Sequence, residues 1–162
     1  MATILMEKDN DFGSSESKEE EELVSIAYET HLIRVQAIAA AGASEEPPQL
    51  AVVATMQQLF EYTETFKEAL GLNMAYGDAF NHLTEKYNDA FFQTKALVLL
   101  LINENSGSIS HEINVGYDGQ QLNINIIRCV PEGFLTADMA RWLAVVELDA
   151  DYVENNISVK IL

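Results

Sequence analysis

The stretch FFQTKALVLLLIN, residues 91–103, decides how the rest of the chain is read. From Ala96 to Ile102 it is apolar without a break. Upstream, Phe80, Leu83, Tyr87 and Phe91 recur at helical spacing, with Asp78, His82, Glu85 and Asp89 on the opposite side. Continuing that periodicity predicts one long helix from Met74 to Asn103. In its second half Phe92, Ala96, Leu99 and Leu100 continue the formerly polar side, so that half is apolar nearly all round. Such a helix is buried on every side or lies in an interface. Either the C-terminal part of the chain covers it, or a second copy does. The apolar run is far too short to span a bilayer as a helix.

Working outward, the segment from Pro48 to Leu70 reads as an amphipathic helix stopped by Gly71. Val52, Met56, Leu59, Thr63, Phe66 and Leu70 form its apolar face, and Gln57, Glu61, Glu64 and Glu68 form the opposite stripe. Before it, Ser17-Lys18-Glu19-Glu20 matches a capping box, and the acids Glu19 to Glu22 suit the positive end of a helix dipole. A helix from there to about Ala41 is expected, with Gly42 as its stop. Arg34 sits among its apolar positions and calls for a carboxylate partner.

On the C-terminal side, two alternating runs, Ile109 to Tyr117 and Gln120 to Val130, flank Asp118-Gly119, a strong hairpin signal. A turn at those two residues pairs Val115 with Leu122, Ile113 with Ile124 and His111 with Ile126. Thr136 is placed to cap a further helix reaching Asn155, with Met139, Trp142, Leu143, Val146 and Val153 inward. The run Leu143 to Leu148 also fits a strand, and the helix is preferred. Ile157 to Ile161 reads as a last strand. The expected fold class is therefore α+β. Three N-terminal helices, two of them long and amphipathic, form a helical bundle. A β-hairpin, a helix and a C-terminal strand follow, forming a small, mainly antiparallel sheet. The expected division is a disordered acidic leader at 1–18 and a single domain at 19–162, helical over 19–105 and ββαβ over 106–162.

The chain has 26 acidic and nine basic residues in 162, a formal net charge of −17. Residues 1–22 hold eight of the acids and two lysines, so the folded part is itself acidic. Such a surface repels nucleic acids and anionic membranes, because phosphate contacts need Lys or Arg. It attracts cations and basic proteins. The lone Cys129 forms no internal disulfide and fits a reducing compartment. With no basic-then-apolar leader at the start, a soluble cytosolic protein is expected.

Three chemistries compete for the acids. Asp78, His82, Glu85 and Asp89 offer ligand types that suit Mn, Fe or Zn. Opposite an apolar face, however, the stripe is expected to meet water, and neither a metal nor any other cofactor is assigned. No catalytic residue is assigned either. Glu61-x-x-Glu64 followed by Glu85-x-x-x-Asp89 resembles the acidic pairs of all-helical nucleotide pyrophosphohydrolases of the MazG type. The resemblance covers these four residues and implies Mg²⁺ held between two helices. The second pair departs from the family spacing by one position, which puts Asn88 in the matching place.

Binding is the third chemistry and the leading one. Carboxylates spaced over a helical surface imitate a phosphate backbone and fit the Lys/Arg groove of a basic, nucleic-acid-binding protein. The expected function is a non-enzymatic inhibitor or regulator, of the kind phages and mobile elements carry as anti-defence or nucleic-acid-mimic proteins. Glu61, Glu64, Glu68, Asp78, Glu85 and Asp89 are the partner-binding residues, with no direct nucleic-acid binding and no membrane. The remaining alternative is a small acidic assembly or secretion chaperone. In that case Phe92, Leu99 and Leu100 would supply a homodimer or client surface.

Overall fold

The computed structural model describes residues 24–35, 47–72, 75 and 77–162. The chain is mainly β. Its elements are β1 (Val24–Ser25), β2 (Tyr28–Val35), β3 (Gln49–Val53), α1 (Met56–Phe66), α2 (Gly77–Thr84), β4 (Lys95–Glu104), β5 (Ser110–Tyr117), β6 (Gln121–Cys129), β7 (Ala140–Asp149) and β8 (Asn156–Ile161). The strands make two four-stranded sheets, ordered β1-β5-β6-β8 and β2-β7-β4-β3.

The expected helical bundle is absent. The first helix is replaced by β2, paired along its length with β7; residues 1–23 and 36–46, with the leader and the capping box, lie outside the described residues. The second is β3 followed by the shorter α1. The third is divided into α2, a 3₁₀ turn at Phe91–Gln93 and β4. The fourth is β7, so the Leu143 to Leu148 run is a strand.

One physical reason covers β4 and β7. They are the two inner strands of the second sheet, and both faces of that sheet are covered. On one face Leu97, Leu99, Leu101, Leu143 and Val145 meet Leu59, Tyr62, Leu70, Phe80 and Tyr87 from the helical layer. On the other, Val98, Leu100, Ile102, Ala144, Val146 and Leu148 meet Ile113, Val115, Leu122, Ile124 and Ile126 of the first sheet. A strand buried on both faces needs no alternation, and its apolar run is indistinguishable by period from a buried helix. Pairing on both sides then overrides the helix propensity of a leucine-rich segment.

The first sheet is covered on one face only, so β5, β6 and β8 alternate and were legible, whereas the two-residue β1 fell within the expected first helix. The hairpin is present with a shifted register: Tyr117 opposes Leu122, Val115 opposes Ile124, and His111 opposes Arg128. The turn residues are Gly119-Gln120. Asp118 pairs with Gln121 through the backbone, and its carboxylate accepts the amides of Gln120 and Gln121. Gly119 supplies the positive φ of 95° that the turn requires. The partner shifts by two residues, so the same side chains remain inward. β8 runs parallel to β6, because the chain passes through β7 in the other sheet between them.

α1 starts at Thr55, whose hydroxyl accepts the Gln58 amide at 3.1 Å. α2 lies close behind it. A Cβ on Gly77 would sit 2.5 Å from the Leu72 Cα, so only glycine permits this approach.

Candidate functional site: an acidic helical layer pinned to the sheet

Between residues 54 and 94, the layer over the second sheet, the sequence has six acids and two lysines, a net of −4. The six are Glu61, Glu64, Glu68, Asp78, Glu85 and Asp89, and all are exposed. α1 turns Leu59 and Tyr62 inward, which leaves Glu61 and Glu64 outward. Glu61 accepts from Gln57 at 2.8 Å, and Glu64 lies 3.6 Å from Lys67. Glu68 follows in the turn after α1. Asp78 occupies the first turn of α2, where the helix dipole favours it.

Glu85 and Asp89 lie past the end of α2, so the spacing that put them on one helix face with Asp78 and His82 does not hold. His82 Nδ1 is 3.4 Å from Glu85, both largely exposed. The four do not converge as metal ligands. Nor do Glu61, Glu64, Glu85 and Asp89 stand on two facing helices, because only the first two are helical. Leu99 and Leu100 are interior, Leu99 under the helices and Leu100 between the sheets, and offer nothing to a second copy or a client. Phe92 is half-buried against Tyr87 and Phe91.

What holds the acidic layer in place is a cluster the sequence reading missed. Glu147 of β7, buried, accepts from Tyr87 Oη at 2.7 Å and His31 Nε2 at 2.8 Å, and pairs with Lys86 Nζ. Lys86 Nζ is also 3.1 Å from His31 Nε2 and 4.0 Å from Glu29. Burial raises the Glu147 pKa, but the hydrogen bonds from Lys86 and Tyr87 outweigh it and hold the carboxyl below its ordinary range. Burial, then the bond to Glu147, push the Tyr87 phenol well above its ordinary value. Glu29, His31 and Glu147 are also the group, among the described residues, whose ligand atoms lie within 4.8 Å of one another. The chain places its own ammonium, Lys86, among them. This cluster ties the segment after α2 to β2 and β7, and a hollow of about 210 Å³ lies beside it, lined by Ala27, Tyr28, Glu29, Lys95 and Glu147. That is below the size of a typical small-molecule site.

A second buried cluster lies at the other end of β4. Glu104 accepts from Arg128 Nε at 2.8 Å and Nη2 at 2.7 Å, and from His111 Nε2 at 2.8 Å. Nε2 of His111 donates to the carboxylate, and its buried Nδ1 has no hydrogen-bond partner among the described residues. Burial raises the Glu104 pKa, and the bonds from Arg128 and His111 more than offset it. His111 is thus an interior residue held through one ring nitrogen by Glu104. Arg34, expected to need a carboxylate, has Asp138 at 2.7 Å. Thr136, then Arg34, hold the Asp138 carboxyl down at about 2.

Glu147 escaped the sequence reading because it fell on the outer side of the expected fourth helix, and Glu104 because it lay just past the expected end of the third at Asn103. A carboxylate inside an apolar strand run, Ala144-Val145-Val146-Glu147-Leu148, was the signal available. Among the described residues, no helix is long and apolar enough to cross a membrane. Compared with protein-family models, curated proteins and solved structures, the chain matches none of them.

Proposed function

We propose that this protein is a non-enzymatic, cytosolic interaction protein that binds a basic protein partner through the carboxylates of its helical layer, as an inhibitor or regulator. One observation carries the reading. Six exposed acids share one layer, and of its two lysines Lys86, although exposed, is paired with the buried Glu147. The layer is backed by a sheet buried on both faces, so the carboxylates stand on a rigid support. A Lys/Arg groove that ordinarily holds phosphates is the complementary surface, and steering by a net charge of −17 speeds the encounter. A protein of this kind suits the nucleic-acid-mimic role described above.

A tagged protein incubated with cell extract at low salt, then washed with rising salt, tests the reading. A basic partner should elute as salt screens the contact, and E61K/E64K/E85K should fail to retain it. Retention of the same partner by that variant removes the proposal. Nothing in the geometry favours the pyrophosphohydrolase or chaperone alternatives over this one.

A further inference from the structure

Residues 47–60, PPQLAVVATMQQLF, carry no ionisable side chain in a chain with 26 acids. They include the whole of β3, which ends the second sheet. The other outer strands are blunted: β1 is two residues long, β2 carries Glu29, His31 and Arg34, and β8 carries Lys160. Charges on outer strands are the usual protection against edge-to-edge pairing. β3 has none. Its register with β4 sets Leu50 beside Leu100 and Val52 beside Val98, on the face turned towards the first sheet. Yet Leu50 is 43% exposed and Val52 37% exposed, so the inter-sheet core opens at this edge. Met56 and Phe60, one turn apart on the adjoining helix, are also exposed, Phe60 to 61%.

We infer that β3 is the contact by which two copies of this chain associate, antiparallel edge to edge, joining their β2-β7-β4-β3 sheets into one. The occupant follows from charge. Two copies of net −17 repel over most of their surfaces. They can approach where no charge is present, and residues 47–60 provide such a stretch on the outer edge of a sheet. A two-fold axis through Ala51 sets Leu50 of each copy opposite Val52 of the other, apolar against apolar on the same face. The outer edge of β3 has no partner strand among the described residues, and its backbone donors and acceptors are satisfied in the same step. The acidic helical layer is not used, so this inference stands apart from the proposed function.

Sedimentation equilibrium and light scattering of the full chain over a wide concentration range test it. A dimer of the 18.0 kDa chain is expected. It should tighten as salt is raised, because screening removes like-charge repulsion; partner binding by the acids responds in the opposite sense. L50K/V52K should be monomeric with an unchanged circular dichroism spectrum, whereas F134K, at another exposed apolar residue, should remain dimeric. Should L50K/V52K fail to fold, amide exchange on the wild type decides, with residues 49–53 better protected in concentrated than in dilute protein. A chain that stays monomeric at every concentration and salt overturns the inference. So does a folded L50K/V52K that associates like the wild type, or β3 exchange that is independent of concentration.

Discussion

The phenol of Tyr87 donates a 2.7 Å hydrogen bond to the buried carboxylate of Glu147, 60 positions away in sequence. With the Lys86 ammonium beside it, this contact fastens the segment after α2 to the centre of the second sheet. The acidic layer is therefore held by a buried carboxylate as well as by apolar packing.

Tyr87→Phe should remove one donor from Glu147 and little volume. The cost expected is about 1.5–3 kcal/mol, the range for a hydrogen bond to a charged group. A urea titration reads it as a lower midpoint with an unchanged slope. An unchanged midpoint would mean that the contact does not hold the layer.

Stability should decline in acid in a defined window. Glu104 and Glu147 both have pKa values lowered in the folded chain from an ordinary 4.5. A lowered folded pKa contributes stability that is complete above the unfolded value and is lost as pH falls through the folded one. The urea midpoint should be level above about pH 5 and fall progressively below pH 4.5. E104Q and E147Q, each less stable at neutral pH, should show a shallower fall. Equal slopes in wild type and both variants would place the acid sensitivity elsewhere.

Arg128 forks onto both oxygens of Glu104, whose side chain is 3% exposed. Arg128→Met leaves that carboxylate with His111 alone. Losing a partner of a fully buried pair costs about 3–5 kcal/mol, and since the Arg128 side chain is 36% exposed the expected loss is nearer 2 kcal/mol. Thermal unfolding of R128M should show it. The double variant E104Q/R128M should recover part of the loss, because no uncompensated charge remains.

How much of this architecture the sequence disclosed depends on how many faces each strand buries. The β5–β6 hairpin and β8, on a sheet with one wet face, alternate, and their inward residues were readable to within a two-residue shift in register. β4 and β7 were not, since Ala96 to Ile102 and Leu143 to Leu148 are apolar on both faces and carry no period-2 signal. β3 was hidden for another reason: Val52 and Met56 fall on the same helical stripe as Leu59, although a strand ends at Val53 and a helix begins at Met56. The outward acids of α1 were legible because Leu59 and Phe66, read on its apolar face, do pack inward, although Met56 on the same expected face is exposed. Glu85 and Asp89 were exposed as expected, but on turns. The partners of Glu104 and Glu147 were not legible, because β4 and β7 were read as helix and the contacts that bring Arg128 and His111 to Glu104, and Lys86, Tyr87 and His31 to Glu147, are long-range.

Leu100 tests the two-sided burial of β4. It is fully buried between the sheets, while its neighbour Leu99 is buried under the helices. L99A and L100A should each cost about 2–5 kcal/mol, with losses that combine nearly additively because the side chains line different cores. One severe and one silent substitution would contradict a strand with two covered faces.

The central claim is that the helical layer, and not net charge alone, recognises a basic partner. Fluorescence anisotropy with a labelled arginine-rich peptide tests it by comparing two triple variants of equal charge. E61K/E64K/E85K alters the layer; E112K/D151K/E154K alters exposed acids on β5 and after β7. The layer variant should bind at least about tenfold more weakly than the control variant, about 1.4 kcal/mol, with a smaller dependence on salt. Equal weakening by the two triples would show that only the total charge matters and would contradict the account.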